Sequence, residues 1–243
     1  MIAAEGDVLK ALDKYYASDK DTVGKIVDEF GAIVVSKLPT NPSTRSRWES
    51  VKTVTRGWAP ARFASATEII TGSKAWAVTD CICRKRTALV GDSCGRELEA
   101  CFMFGSMAQY YLDRKMGRKI GVEEAIDILT RCQEAGLVTQ PATSQNPSGM
   151  CNCCGDCCGV LAALKQFPRP ADLVISNHYA EVRRELCTGC AACLERCQMD
   201  AIRLDGEGLA LVDRGRCIGC GLCAAACPTE AARLVAKPAA EHV

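Results

Sequence analysis

Cys187-Thr-Gly-Cys190-Ala-Ala-Cys193-Leu-Glu-Arg-Cys197 returns 30 positions later as Cys217-Ile-Gly-Cys220-Gly-Leu-Cys223-Ala-Ala-Ala-Cys227. Gly189 maps onto Gly219, Ala201 onto Ala231 and Leu204 onto Leu234, so the repeat extends beyond the thiols. Each unit has the spacing C-x2-C-x2-C-x3-C. These eight belong to a total of 18 cysteines in 243 residues, several times ordinary usage. Adjacent pairs such as Cys153-Cys154 and Cys157-Cys158 seldom bridge without strain, and close spacing suits thiolates converging on a metal. Thirty Lys+Arg against 29 Asp+Glu leave a net charge of +1, which argues against a polyanion-coating or acidic-tail protein. Hydrophobic residues make up 48% and aromatics 5%. Part of that 48% is cysteine, so the apolar core is thin and something else must help hold the fold.

The repeat resembles the two-cluster bacterial ferredoxin family over about Val182 to Leu234, because its spacing is that of chains carrying two [4Fe-4S] clusters. The resemblance implies that Cys187, Cys190, Cys193 and Cys227 hold one cluster and Cys217, Cys220, Cys223 and Cys197 the other. Three thiolates come from a tight loop, and the fourth cysteine, opening a helix, points to the other cubane. Pro228 follows the fourth cysteine of the second unit as the family expects, whereas Gln198 stands at the equivalent place in the first. That departure supplies an N–H and alters hydrogen bonding near one cluster. Ala201 to Leu204 and Leu209 to Asp213 read as short strands around the turn Asp205-Gly206-Glu207-Gly208. Two four-thiolate zinc sites are the competing reading, but zinc modules pair separated C-x2-C knuckles.

Ten cysteines lie upstream. Cys132 falls in the helical pattern from Gly121 to Gly136, with Val122, Ala125, Ile126 and Leu129 on one face, and reads as a small packing residue. The other nine form two groups. Cys81, Cys83, Cys94 and Cys101 make the first; Cys151, Cys153, Cys154, Cys157 and Cys158, five thiols in eight residues, make the second. Five core-seeking side chains on a glycine-containing loop are not expected all to point inward, so metal binding is the simpler explanation. Nine thiols suffice for two further cubanes with one to spare, and the spacing permits each group to close its own cluster or the two to interleave. Asp156 inside the block reads as an oxygen ligand or a solvated turn carboxylate. Arg84, Lys85 and Arg86 read as a solvated basic turn, a landing site for an acidic redox partner, or a lever on a cluster potential.

The Cys81-x-Cys83-Arg segment, the Cys94 and Cys101 pair, Glu134 to Val138 and the Cys-Asn-Cys-Cys run at Cys151 resemble a second family. These are ferredoxin-type iron-sulfur proteins of anaerobic bacteria and archaea with an upstream cysteine-rich domain, a likeness covering roughly Thr79 to Leu234. It implies electron transfer with redox partner proteins.

The expected fold is α+β. Residues 1–78 are a cysteine-free, mainly helical region, 79–181 a cysteine-rich loop domain, partly winged-helix-like, 182–236 the two-cluster ferredoxin unit and 237–243 a tail. Helical spacing runs over Val8 to Tyr16 and Thr22 to Val35. From Arg45 to Arg62, five basic residues interleave with Trp48 and Trp58, either a solvated face or a clasp for an anionic partner. No apolar run is long enough to span a membrane and Met1 to Tyr16 has no signal-peptide core, so the expected location is the cytoplasm. His178 and His242 are the only histidines, and no P-loop, G-x-S-x-G or G-x-G-x-x-G motif occurs. The sequence therefore favours an electron carrier or oxidoreductase subunit over a self-contained enzyme, with two to four [4Fe-4S] clusters. The alternatives are a reductase whose upstream cluster binds substrate and a redox-responsive DNA-binding regulator; the near-zero charge argues against nucleic acid.

Overall fold

The computed structural model describes residues 63–142 and 147–238, with side chains from residue 66. The expected helices at Val8 to Tyr16 and Thr22 to Val35, the basic tryptophan stretch and His242 lie outside the described residues.

The first part is built on a five-stranded antiparallel sheet. Its strands are β1 (Trp76–Asp80), β2 (Glu99–Phe104), β3 (Arg118–Lys119), β4 (Val138–Pro141) and β5 (Gly149–Cys153), in the order β3-β1-β2-β5-β4. Helix α1 (Phe63–Gly72) precedes β1, α2 (Ile82–Leu89) follows it, α3 (Gly105–Asp113) follows β2, α4 (Val122–Glu134) leads into β4, and α5 (Gly159–Lys165) follows β5.

Strand periodicity divides this sheet chemically. Ala100, Phe102 and Phe104 alternate onto one face and are buried there with Val78, Met150, and Ile70 of α1. Phe102 and Phe104 stack with ring centroids 6.2 Å apart. Helix α4 covers this face with Ala125, Ile128, Leu129 and Cys132. Its bounds fit the expected helix: Glu123 and Glu124 sit in the first turn, favourable at the positive end of the helix dipole, and Gly136 leaves with φ +73°. The other face carries the thiols. Cys101 pairs directly across from Cys151, which places them on one face, and Cys153 lies two residues further along that face. The cysteine-rich region is therefore a sheet with helices and not the expected loop domain. The second correction concerns the cysteine block: Cys153, Cys154, Cys157 and Cys158 are all buried, and Cys151 is half-buried. All five point inward because half the block is strand and the side chains meet one another.

The C-terminal unit contains β6 (His178–Val182), α6 (Ala192–Arg196), β7 (Ile202–Leu204), β8 (Ala210–Val212), α7 (Leu222–Ala225) and β9 (Ala232–Ala236). Here the 30-residue repeat becomes a two-fold relation. Ala180 of β6 pairs with Leu234 of β9, and Ala210 of β8 with Leu204 of β7; shifting the first pair by one repeat generates the second. Left-handed residues repeat likewise: Gly189 and Gly219 (φ +70° each), Ala191 and Gly221 (+61° and +84°), Asp200 and Glu230 (+52° and +54°). Gly219 has no alternative, since a Cβ there would stand 2.2 Å from the His178 carbonyl oxygen. Strands β7 and β8 and their turn match the sequence expectation, with Asp205 Oδ1 accepting from the Glu207 and Leu209 N–H groups at 2.9 and 3.0 Å.

The expected boundaries at 78/79 and 181/182 fall inside β1 and β6. The two parts share a core in which Leu161, Leu164, Val174 and Val138 pack with Met199, Ile202, Ile218 and Leu222. Arg216 reinforces the junction by donating to the carbonyls of Met199, Phe167 and Lys165 at 3.1, 3.1 and 3.2 Å. No helix among the described residues is long and apolar enough to cross a membrane.

Candidate metal centres

In the C-terminal unit, the loop after each first cysteine is turned by a left-handed glycine, which directs the thiols to one side. A pocket is lined by Cys187, Cys190, Cys193 and Cys227, three thiols from one repeat and the last from the other. The second group has the same crossed composition. Burial pushes the Cys223 thiol up, and its charged neighbours are first Cys220, Cys217 and Cys197. For Cys193, also raised by burial, they are Cys187, Cys227 and Cys190. Burial pushes Cys220 up to about 12, so loading the site with metal displaces protons.

Backbone N–H groups aim at these sulfurs, as a cluster's ligands require. Ala180 N donates to Cys217 Sγ at 3.2 Å and, one repeat later, Ala210 N to Cys187 Sγ at 3.5 Å. Ala201 and Ala232 donate to Cys197 and Cys227 at 3.2 and 3.3 Å. Each repeat's leading cysteine is thus hydrogen-bonded by a strand of the other repeat. The fourth cysteines do not open helices: Cys197 follows the end of α6 and Cys227 lies beyond α7, and turns succeed both. Only one short helical turn precedes each of them.

Upstream, the nine thiols separate into six and three. Cys81, Cys101, Cys151, Cys153, Cys158 and Cys83 form a closed ring of neighbouring thiols, each interacting most strongly with the two beside it and the last returning to the first. Sheet register supplies three of them; Cys81 caps α2, Cys83 lies in its first turn, and Cys158 caps α5. Gln140, buried across the β4–β5 pair, brings Nε2 to 4.0 Å from Cys158 Sγ. The remaining set is Cys94, Cys154 and Cys157, whose sulfurs all lie within 4.8 Å of one another. The two sequence groups are interleaved, because neither set draws on one group alone. Cys132 belongs to neither set and is fully buried beneath α4.

Arg84 is the principal charge at this centre. It is only 3% exposed, so it is not on a solvated turn. Its Nη1 and Nη2 donate to the Asn152 carbonyl at 3.1 and 3.0 Å, and Nη1 lies 3.9 Å from Cys154 Sγ. Among the described residues it pairs with no carboxylate, and the side chains that interact with its charge are the thiols of Cys81, Cys154 and Cys101. A buried cation of this kind requires a compensating negative charge, and thiolates on a metal supply one. Lys85 instead meets Asp80 at 3.6 Å on the surface. Asp156 is exposed and engaged by Arg96, which removes it as an oxygen ligand. Arg96, Thr87 and Gln140, all against thiols, carried no signal in the sequence, because a lone polar residue far from a motif has no spacing to betray it.

Gln198 joins the two centres. Gly155 N, inside the Cys151–Cys158 block, donates to Gln198 Oε1 at 2.7 Å, and Gln198 Nε2 donates to the Gly136 carbonyl at 2.8 Å. The residue that departs from proline thus bonds into the cysteine block through its side chain. Arg196 adds a bond to the Glu134 carbonyl.

Residues 180–234 match the family model of the 4Fe-4S dicluster domain, and no curated protein matches the chain. The chain thus contains a ferredoxin-like iron-sulfur domain, which supports an electron-transfer role, joined to a cysteine-rich part that the family model does not cover.

Proposed function

We propose that this protein relays single electrons between its ferredoxin pair of clusters and the upstream thiol centre, as a carrier or as the electron-transfer subunit of an anaerobic oxidoreductase. The observation that carries this reading is the continuity of the two thiol-rich regions through one core, with Gln198 bonded directly into the cysteine block. In this reading Cys187, Cys190, Cys193 and Cys227 hold one [4Fe-4S] cluster, Cys197, Cys217, Cys220 and Cys223 the second, and the six-thiol ring a further one, within the two to four that the cysteine count permits. Each cluster supplies one-electron chemistry when bound. The chain's own part is to exclude water from the sulfurs, to direct N–H donors at them and to fix their separations. The sheet and its thiol centre are read as one domain that ends before β6, and β6 to β9 as the domain of the cluster pair. The protein acts in the cytoplasm, and its donor and acceptor are redox proteins.

Iron and acid-labile sulfide analysis of anaerobically purified full-length protein tests this reading, with reduced-state electron paramagnetic resonance. At least eight irons per chain are expected from two four-iron clusters, with a signal showing two interacting reduced clusters. Clearly fewer than eight would defeat the relay.

A further inference from the structure

Three of the upstream thiols are too close together for a cubane. Cys94 comes from the loop between α2 and β2, Cys154 follows β5 directly and Cys157 lies in the turn before α5. The Cys94 and Cys154 sulfurs are 3.8 Å apart, and all three lie within 4.8 Å of one another. Thiolates around one tetrahedral zinc ion, each about 2.3 Å from the metal, stand about 3.8 Å from each other. In a cubane each thiolate holds a different iron corner, so its ligands are spread wider. The molecule contains its own standard for that wider spacing. Among the described residues, no three of the eight cysteines in the ferredoxin repeat have sulfurs that close, and no three in the six-thiol ring do.

The trio also has a polar and cationic surround. The Arg84 guanidinium lies 3.9 Å from Cys154 Sγ, and the Arg96 and Thr87 side chains lie beside Cys94 and Cys157. Such partners orient metal-bound thiolates and offset their charge. Three thiolates on a divalent ion leave one net negative charge, which answers the buried, carboxylate-free Arg84. No histidine, acid or fourth cysteine among the described residues joins the group, and Asp156 is held away by Arg96.

We propose that Cys94, Cys154 and Cys157 bind a single zinc ion, separate from the iron-sulfur centres, with the fourth coordination position open to a solvent oxygen or another small exogenous donor. Three protein ligands and one open position is the arrangement of zinc sites that act on a bound ligand. Zinc has no redox chemistry, so the ion is not a relay station; binding releases the three thiol protons and changes no oxidation state. The ion ties the α2–β2 loop to the cysteine block that Gln198 contacts.

The test is metal analysis of the full-length protein, purified anaerobically from zinc-supplemented medium, with X-ray absorption at the zinc edge. The expected result is about one zinc per chain with three sulfur neighbours at about 2.3 Å. Cys94→Ala and Cys157→Ala should each lower zinc at least about fivefold while iron stays constant, because each removes one of three ligands. Absence of zinc, zinc retained in both variants, or loss of about four irons in place of zinc would each overturn the proposal. The wild-type absorption spectrum decides the matter even if a variant does not fold. An iron count below eight would defeat the relay and leave the zinc measurement standing.

Discussion

The C-terminal repeat and the upstream centre both gather thiols, but on opposite kinds of scaffold. In the repeat, left-handed residues at matched positions bend short loops and strand N–H groups supply the hydrogen bonds, so the site is made by backbone. Upstream, β2 and β5 place Cys101, Cys151 and Cys153 by register, and the countercharge is the buried side chain of Arg84. A site made by backbone is vulnerable to a change in conformation; a site made by register and side chains is vulnerable to a change in charge.

The sharpest way to break this comparison is Gly219→Ala. The left-handed backbone costs about 1–2 kcal/mol for a non-glycine residue, and a Cβ 2.2 Å from the His178 oxygen cannot be accommodated without moving β6. Iron content should fall by about four per chain, one cluster, and the upstream absorption should persist. Gly206→Ala, which meets nothing within 4 Å, should leave iron unchanged. If both variants keep full iron, the backbone account of the repeat is wrong.

Arg84→Leu attacks the other scaffold. Removing one partner of a buried charge pair costs about 3–5 kcal/mol, and the loss should appear in upstream metal content and in the melting temperature. The paramagnetic signal of the ferredoxin clusters should survive. Arg84→Lys, a cation without the planar fork that grips the Asn152 carbonyl, should be intermediate.

The ease of reading also divided along this line. The repeat was legible because its ligands lie on contiguous loops, where spacing in sequence is spacing in space; the β7–β8 hairpin followed from its turn residues. Strands β6 and β9 had no such local mark, since their pairing joins residues about fifty positions apart. Upstream, spacing marked the nine cysteines as metal ligands and left Cys132 to packing, but it said nothing of six and three. That partition depends on Cys101 facing Cys151 across a sheet, and pairing of distant strands is not written in either strand. The reading of the block as a loop failed because a Gly-Met-Cys-Asn-Cys strand is short and rich in thiols, with little β-branched signal.

Two smaller effects refine the contrast. Gln198→Ala leaves the buried Gly155 N–H and Gly136 carbonyl without their partner, a cost of about 1–3 kcal/mol. It should slow electron exchange between the two regions while iron content holds; unchanged exchange would show that Gln198 only packs. Burial pushes the Cys132 thiol up to about 12, with Arg84, Glu97 and Arg131 as its charged neighbours. An unfolded thiol ionises near pH 8.5, so the buried thiol's contribution is complete below that pH and is lost as pH rises toward 12. Cys132→Ala should cost about 1 kcal/mol at neutral pH, within the range for a small core truncation, and flatten the alkaline side of the melting profile. An unaltered alkaline slope would assign that titration elsewhere.

The crossed hydrogen bonds of the repeat bear on how such a unit is assembled. Cys217 takes its bond from Ala180, and Cys187 from Ala210, so neither half finishes its own first sulfur. One half synthesised alone would have a strand lacking its partner and a cysteine without its donor. A second copy, related by the same two-fold axis, would supply both. The tandem chain is in this respect a symmetric dimer whose two members have been covalently joined, and cutting between Asp205 and Gly208 should leave two fragments that remain bound to each other.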